Sequence, residues 1–85
     1  MYKYITLAYN TRLVWTVPMY IYQNEENNKY YITRTYPKYS RFNGDNLNDQ
    51  TTYSEIDFAK EITDDDIKKG LTNYWNQDWK FKLTL

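Results

Sequence analysis

At 85 residues, with neither cysteine nor histidine and a formal net charge of zero from 11 basic and 11 acidic side chains, the chain has room for one domain built on one core. Disulfides, thiolate zinc sites, the commonest general base and metal ligand, and the thiolate nucleophile are excluded within it. The zero total hides a division: residues 1–42 carry six Lys/Arg against two Glu, residues 43–66 eight Asp/Glu against one Lys, and residues 67–85 four Lys against one Asp. Surfaces of different sign bear on partners and steering rather than on fold.

Three Trp, three Phe and 11 Tyr compensate for a modest aliphatic content, because each ring buries a large area and tyrosine keeps a polar tip. Residues 2–9 alternate, with Lys3, Ile5, Leu7 and Tyr9 on one side and Tyr2, Tyr4, Thr6 and Ala8 on the other, which predicts a strand. Lys3 and Arg12 flank no apolar run of signal-peptide length, and nothing approaches the roughly 20 apolar residues of a membrane span. The expected location is the cytoplasm. After a polar turn at residues 10–12, residues 13–17 resume a β-branched and aromatic run that Pro18 interrupts.

Residues 19–23 and 29–36 are Tyr- and Ile-rich and flank the polar stretch 24–28, which predicts a β-hairpin. Pro37 ends its second strand. Residues 38–42 fit an edge strand or a loop, and residues 43–50, with Gly44 among Asn and Asp, a loop. Residues 52–62 fit either a short helix opened by Ser54 and Asp57 or an extended connector. From Thr63 a helix is predicted: Thr63 caps, Asp64, Asp65 and Asp66 suit the dipole of the first turn, and Ile67, Leu71, Tyr74 and Trp75 fall at helical spacing. Gly70 weakens it by about 1 kcal/mol relative to Ala. Residues 79–85 then alternate as a half-buried strand, with Trp79, Phe81, Leu83 and Leu85 on the apolar face. The expected fold is α+β, a single domain over residues 1–85: a small antiparallel sheet of about four to five strands, one main helix in the C-terminal half packed on one face, and a final strand.

No catalytic signature accompanies this pattern. Ser40 and Ser54 have no activating partner in the sequence, and so short a chain offers little depth for a carboxylate-lined cleft. Asp64, Asp65 and Asp66 point about 100° apart on a helix and do not converge on one ion. An EF-hand register from Asp45 places Leu47 at a ligand position and Ile56 where the bidentate Glu must stand. Two glycines, Gly44 and Gly70, do not build a phosphate loop. No enzyme, metal or cofactor is expected.

The functional candidate is the segment 29–42, where Lys29, Arg34, Lys38 and Arg41 interleave with Tyr30, Tyr31, Tyr36, Tyr39 and Phe42 without an acid. Such a run fits a protein interface anchored by Tyr and Arg. It also fits a single-strand nucleic-acid face, where cations neutralise phosphates and rings stack on bases. The plain alternative sends alternate rings into the core and leaves the cations solvated. In the acidic stretch 45–66, Asp64 and Asp65 are the candidates for a carboxylate rim that a partner's nucleic-acid groove would attract; a solvated helix start is the plain alternative there.

The layout resembles the small accessory proteins of bacteriophages and prophages of AT-rich hosts: an opening strand at residues 2–9, paired Tyr-rich strands, the connector Phe58-Ala59-Lys60-Glu61-Ile62-Thr63 leading into a helix, and a closing strand after Trp79. Inhibitors of host defence nucleases, anti-CRISPR proteins among them, belong to that group. The resemblance implies a cytoplasmic binding protein that blocks a host protein, and it transfers no site residues. Direct nucleic-acid binding is the second expectation. A homo-oligomer pairing exposed strand edges is the third.

Overall fold

A computed structural model describes residues 1–12, 18–37 and 52–83. Seven strands and one short helix follow in chain order: β1 Tyr2–Asn10, β2 Met19–Asn24, β3 Tyr30–Thr33, β4 Thr52–Tyr53, β5 Lys60–Ile62, α1 Asp64–Lys69, β6 Leu71–Tyr74 and β7 Gln77–Phe81. The strands form one antiparallel sheet in the order β5-β3-β2-β1-β7-β6, with β4 beside the N-terminal end of β1. Strands take 52 % of the described residues and the sheet is nearly closed like a barrel. The expected α+β fold with four to five strands and a main helix is therefore corrected to a mostly β fold.

The correction has a local cause at Gly70. Its backbone sits in the left-handed region at φ 67°, and its N–H closes onto the carbonyls of Asp66 and Ile67, ending α1 after six residues. Glycine, lacking a Cβ, takes this conformation at no steric cost. Its carbonyl then accepts from the Phe81 N–H at 3.0 Å, which starts the β6–β7 ladder. Leu71 and Tyr74, at helical spacing from Ile67, lie in β6 instead, opposite Lys80 and Gln77. The reading of Thr63 as cap holds, since its hydroxyl accepts from the Asp66 N–H, and all three aspartates occupy the first turn.

The expected strand 79–85 is displaced: β7 begins at Gln77, and Leu85 lies outside the described residues. Residues 13–17 and 38–51, with their expected strand and loop, lie outside them too. The 52–62 stretch is extended, with β4 and β5 in place of the helix at Ser54.

The β2–β3 hairpin is present where the polar stretch predicts it. Asn24 and Asn27 accept through their side chains from the N–H groups of Glu26 and Lys29, and Asn28 takes a left-handed φ of 61°. Asparagine does both readily, which is why a loop without glycine can close here. β3 stops at Thr33, earlier than expected. Its hydroxyl bonds the Asp57 carbonyl and accepts from the Thr35 N–H, so local side-chain bonding replaces the ladder.

A bulge between Tyr4 and Thr6 shifts the β1 register. The uniform alternation expected for residues 2–9 is thereby broken: Tyr2 and Tyr4 stand opposite Asn24 and Tyr22, while Thr6 and Ala8 stand opposite Ile21 and Met19. A bulged strand bends and twists more strongly. Here β1 serves β4 at one end and β7 at the other, which helps the sheet curl toward closure. The two sheet edges, β5 and β6, are joined by α1, and the Lys60 ammonium crosses between them to donate to the Asn73 carbonyl.

The curled sheet encloses Ala8, Met19, Ile21, Ile32, Ile62, Tyr74, Trp79 and Phe81. Its outer side carries a second aromatic layer. Tyr4 contacts both Tyr20 and Tyr22, Tyr22 meets Tyr53, Tyr20 meets Tyr36, and Tyr2 meets Tyr31, at centroid distances of 5.4–6.2 Å. Tyr22 is fully buried, with its hydroxyl donating to the Thr35 carbonyl at 2.9 Å. Burial, then the neighbouring Tyr53, Tyr4 and Tyr20, raise its pKa well above the ordinary tyrosine value. Both sides of β2 are thus buried, one aliphatic and one phenolic.

Candidate functional site

The segment singled out in the sequence divides among several environments. Lys29 is exposed beside β5 and pairs with Glu61 at 3.2 Å; so exposed a pair contributes about 0–1 kcal/mol. Tyr30 is half-buried and packs against the core, and Tyr31 stands edge-on to Tyr2 in the outer tyrosine layer. Tyr36 is 64 % exposed but leans edge-on against Tyr20 at 5.4 Å. Lys38, Tyr39 and Arg41 lie outside the described residues. Asp64 and Asp65 are exposed at the start of α1. That start follows the Ile62 end of β5, which pairs with Tyr30, whereas Arg34 follows the opposite end of β3.

Arg34 is the member of the set that meets a surface not visible in the sequence. Its guanidinium carbon lies 4.9 Å from the centroid of the Trp75 ring. Trp75 is stacked on Tyr74, with centroids 5.2 Å apart and planes 13° apart, and it meets Phe58 edge-on at 6.4 Å. Phe58 and Trp75 are 73 % and 52 % exposed. Three separate stretches supply this patch: the residue after β3, the turn before β5, and the β6–β7 turn.

Backbone conformation presents both rings. Trp75 and Asn76 have φ of 53° and 58° and form the two-residue loop between Tyr74 and Gln77. Two consecutive left-handed residues define the type I′ hairpin turn, normally Asn-Gly or Gly-Gly. Phe58 is left-handed as well, at φ 46°. For a bulky side chain this conformation costs about 1–2 kcal/mol, so the patch contains two such costs.

The surroundings hold Phe58 from several directions. The Tyr74 hydroxyl donates to its carbonyl. On the preceding residue, the Asp57 N–H donates to the Thr35 hydroxyl at 2.6 Å and the Asp57 carbonyl accepts from the Thr33 hydroxyl. Thr33 is buried at the end of β3, which ties the exposed turn directly to the core. On the other side the buried Trp79 indole N–H donates to the Tyr74 carbonyl at 3.0 Å. Burial raises the Tyr74 pKa, and the Arg34 charge opposes the rise.

Beside the patch lies a groove of about 300 Å³ lined by Pro18, Met19, Arg34, Trp75, Gln77 and Trp79. Among the described residues, no group of three or more acidic side chains gathers to hold a metal. Phe58 and Trp75 are the residues that sequence reasoning misses. Trp75 falls on the apolar stripe of the expected helix, and Phe58 sits in a connector with no pattern. The local signal for a turn here is Asn76, a residue that tolerates a left-handed φ, shortly before the alternation from Trp79 to Phe81.

No protein-family model matches this sequence, and neither a curated protein nor a solved structure is significantly similar to it.

Proposed function

We propose that this chain is a small non-enzymatic binding protein that inhibits a host protein, docking through the surface made by Arg34, Phe58 and Trp75. The observation that carries the reading is the left-handed backbone of two exposed aromatic residues. Local strain at bulky residues persists where surrounding structure overdetermines it, and such positions cluster at functional sites. A chain selected for stability alone would favour Asn or Gly at positions 58 and 75. Trp and Arg are the side chains most enriched among binding hot spots, and rings fixed before association lose little freedom on binding.

The layout resemblance supports a host-directed form of this role, in the manner of phage inhibitors of nucleic-acid-processing defence enzymes such as CRISPR effectors, acting in the bacterial cytoplasm. The test is affinity capture of the tagged full chain from bacterial lysate, with and without nuclease, beside its Phe58→Asn and Trp75→Asn variants. A defined protein retained by the wild type in both samples and lost with either variant supports the reading. Retention abolished by nuclease would replace it with direct nucleic-acid binding, and retention indifferent to both variants would remove this surface from the proposal.

A further inference from the structure

We infer that the groove between Arg34 and Trp79 receives a partner-protein segment in which a carboxylate neighbours an apolar side chain, the apolar group entering the groove and the carboxylate meeting Arg34. This deepens the docking role proposed above and rests on it.

The groove's polar chemistry is one-sided. Its floor is apolar, since Met19 and Trp79 belong to the core cluster. The Trp79 indole N–H is directed to the Tyr74 carbonyl. Gln77 accepts from the Asn10 side-chain amide through its Oε1, and its own amide nitrogen is a further donor that can address a ligand. Arg34 has donors and no acceptor. It lies over Trp75, and among the described residues no carboxylate pairs with it, the ion pair formed being Lys29 with Glu61. Among the described side chains lining the groove, the polar groups offered to a ligand are therefore chiefly donors, one of them cationic.

A carboxylate is the complement of this lining. The guanidinium fork matches its two oxygens, and a bond between ionised groups is about twice as strong as one between neutral groups. Size restricts the remainder of the ligand: about 300 Å³ is at the lower limit of small-molecule pockets and suits one large side chain. An extended nucleic-acid strand would call for several cations along its track, whereas among the described residues Arg34 is the single cationic one lining this groove. An acidic, apolar protein segment is the occupant that both size and charge favour.

The experiment is a titration of the full-length protein with acetyl-Phe-Asp-amide and acetyl-Phe-Asn-amide, followed by amide and indole N–H chemical shifts in NMR spectra. The Asp probe is expected to shift the Trp75 and Trp79 indole signals and the Gln77 side-chain amide. It should bind roughly ten-fold more tightly than the Asn probe, as the loss of one charge-assisted bond implies. Arg34→Gln should erase that preference and Arg34→Lys should keep part of it, with unchanged signal dispersion confirming that both variants fold. Equal binding of the two probes, shifts elsewhere on the molecule, or no shift with either would overturn the proposal.

Two further arms read other occupants. Shifts at the same signals produced by oligothymidylate and not by the Asp probe would assign the groove to nucleic acid. Concentration-dependent shifts there without any probe would assign it to a second copy. Each of these outcomes overturns the proposal. If lysate capture depends on Phe58 and Trp75 but not on Arg34, the carboxylate inference fails while the docking role stands. If the probes discriminate as expected but no protein is captured, the docking role fails instead.

Discussion

The Trp75 indole lies nearly parallel to the ring of Tyr74, the residue before it, with 13° between their planes and 5.2 Å between centroids. Neighbours in a strand point to opposite faces, so this stacking requires the chain to turn between them. The left-handed φ of 53° at Trp75 provides the turn. One ring of the pair is buried in the core and the other is half-exposed, so the outer ring rests on a rigid support.

Phe58→Asn should leave the protein at least as stable as wild type. Asn tolerates the left-handed conformation better than Phe, a relief of up to about 1 kcal/mol. The ring lost is 73 % exposed and contributes little burial. Urea denaturation would measure it, and a loss of more than about 1 kcal/mol would show that the ring serves the fold.

Gly70→Ala should destabilise strongly. A Cβ there meets the Phe81 carbonyl oxygen at 3.0 Å while the backbone stays at φ 67°. The left-handed conformation costs about 1–2 kcal/mol and the tight contact adds to it. A fall in Tm of about 5–15 °C follows for a domain of this size, read by thermal denaturation; an unchanged Tm would mean that the helix cap is not held as described.

Tyr22→Phe should cost about 1–3 kcal/mol, because it leaves the Thr35 carbonyl without the phenol that donates to it at 2.9 Å. Ile21→Ala, at a fully buried position, should cost about 2–5 kcal/mol. Chemical denaturation of both variants would check this order, which reverses only if the outer tyrosine layer outweighs the aliphatic core.

Stability should fall in alkali. Burial raises the pKa of Tyr22 first, and neighbouring phenols add to it; burial raises Tyr74 as well. Above the unfolded tyrosine value of about 10, the unfolded chain releases protons that the folded chain retains, so unfolding becomes easier as pH rises. The contribution is fully present below about pH 10 and declines above it, by up to about 1.4 kcal/mol per pH unit for each phenol. Urea midpoints at successive pH values would measure the slope, and Tyr22→Phe should lower it; a flat profile up to about pH 11 would contradict the buried phenol.

Legibility in the sequence followed the range of the interactions. The β2–β3 hairpin and the Thr63 cap depend on bonds spanning a few residues, and polar composition and spacing revealed them. The bulge between Tyr4 and Thr6 left no local mark, because its register is set by β2. The end of α1 runs against the sequence pattern: Leu71, Tyr74 and Trp75 fit a helical period, and Gly70 beside the Phe81 carbonyl sends them into β6 and its turn instead.

The candidate site divides in the same way. Arg34 was legible as a cation among rings, but its neighbours were not, since Phe58 and Trp75 lie 24 and 41 positions away. By itself the sequence determined a chain without cysteine or histidine chemistry, rich in rings, with one polar hairpin loop and one capped helix start, all properties carried by residues or short spans. Only the tertiary structure decided that the sheet curls nearly closed, that tyrosines form its second buried layer, and that Arg34, Phe58 and Trp75 share a surface. Those outcomes depend on strand pairing across long separations, where the stabilising contacts exist only after distant segments have met.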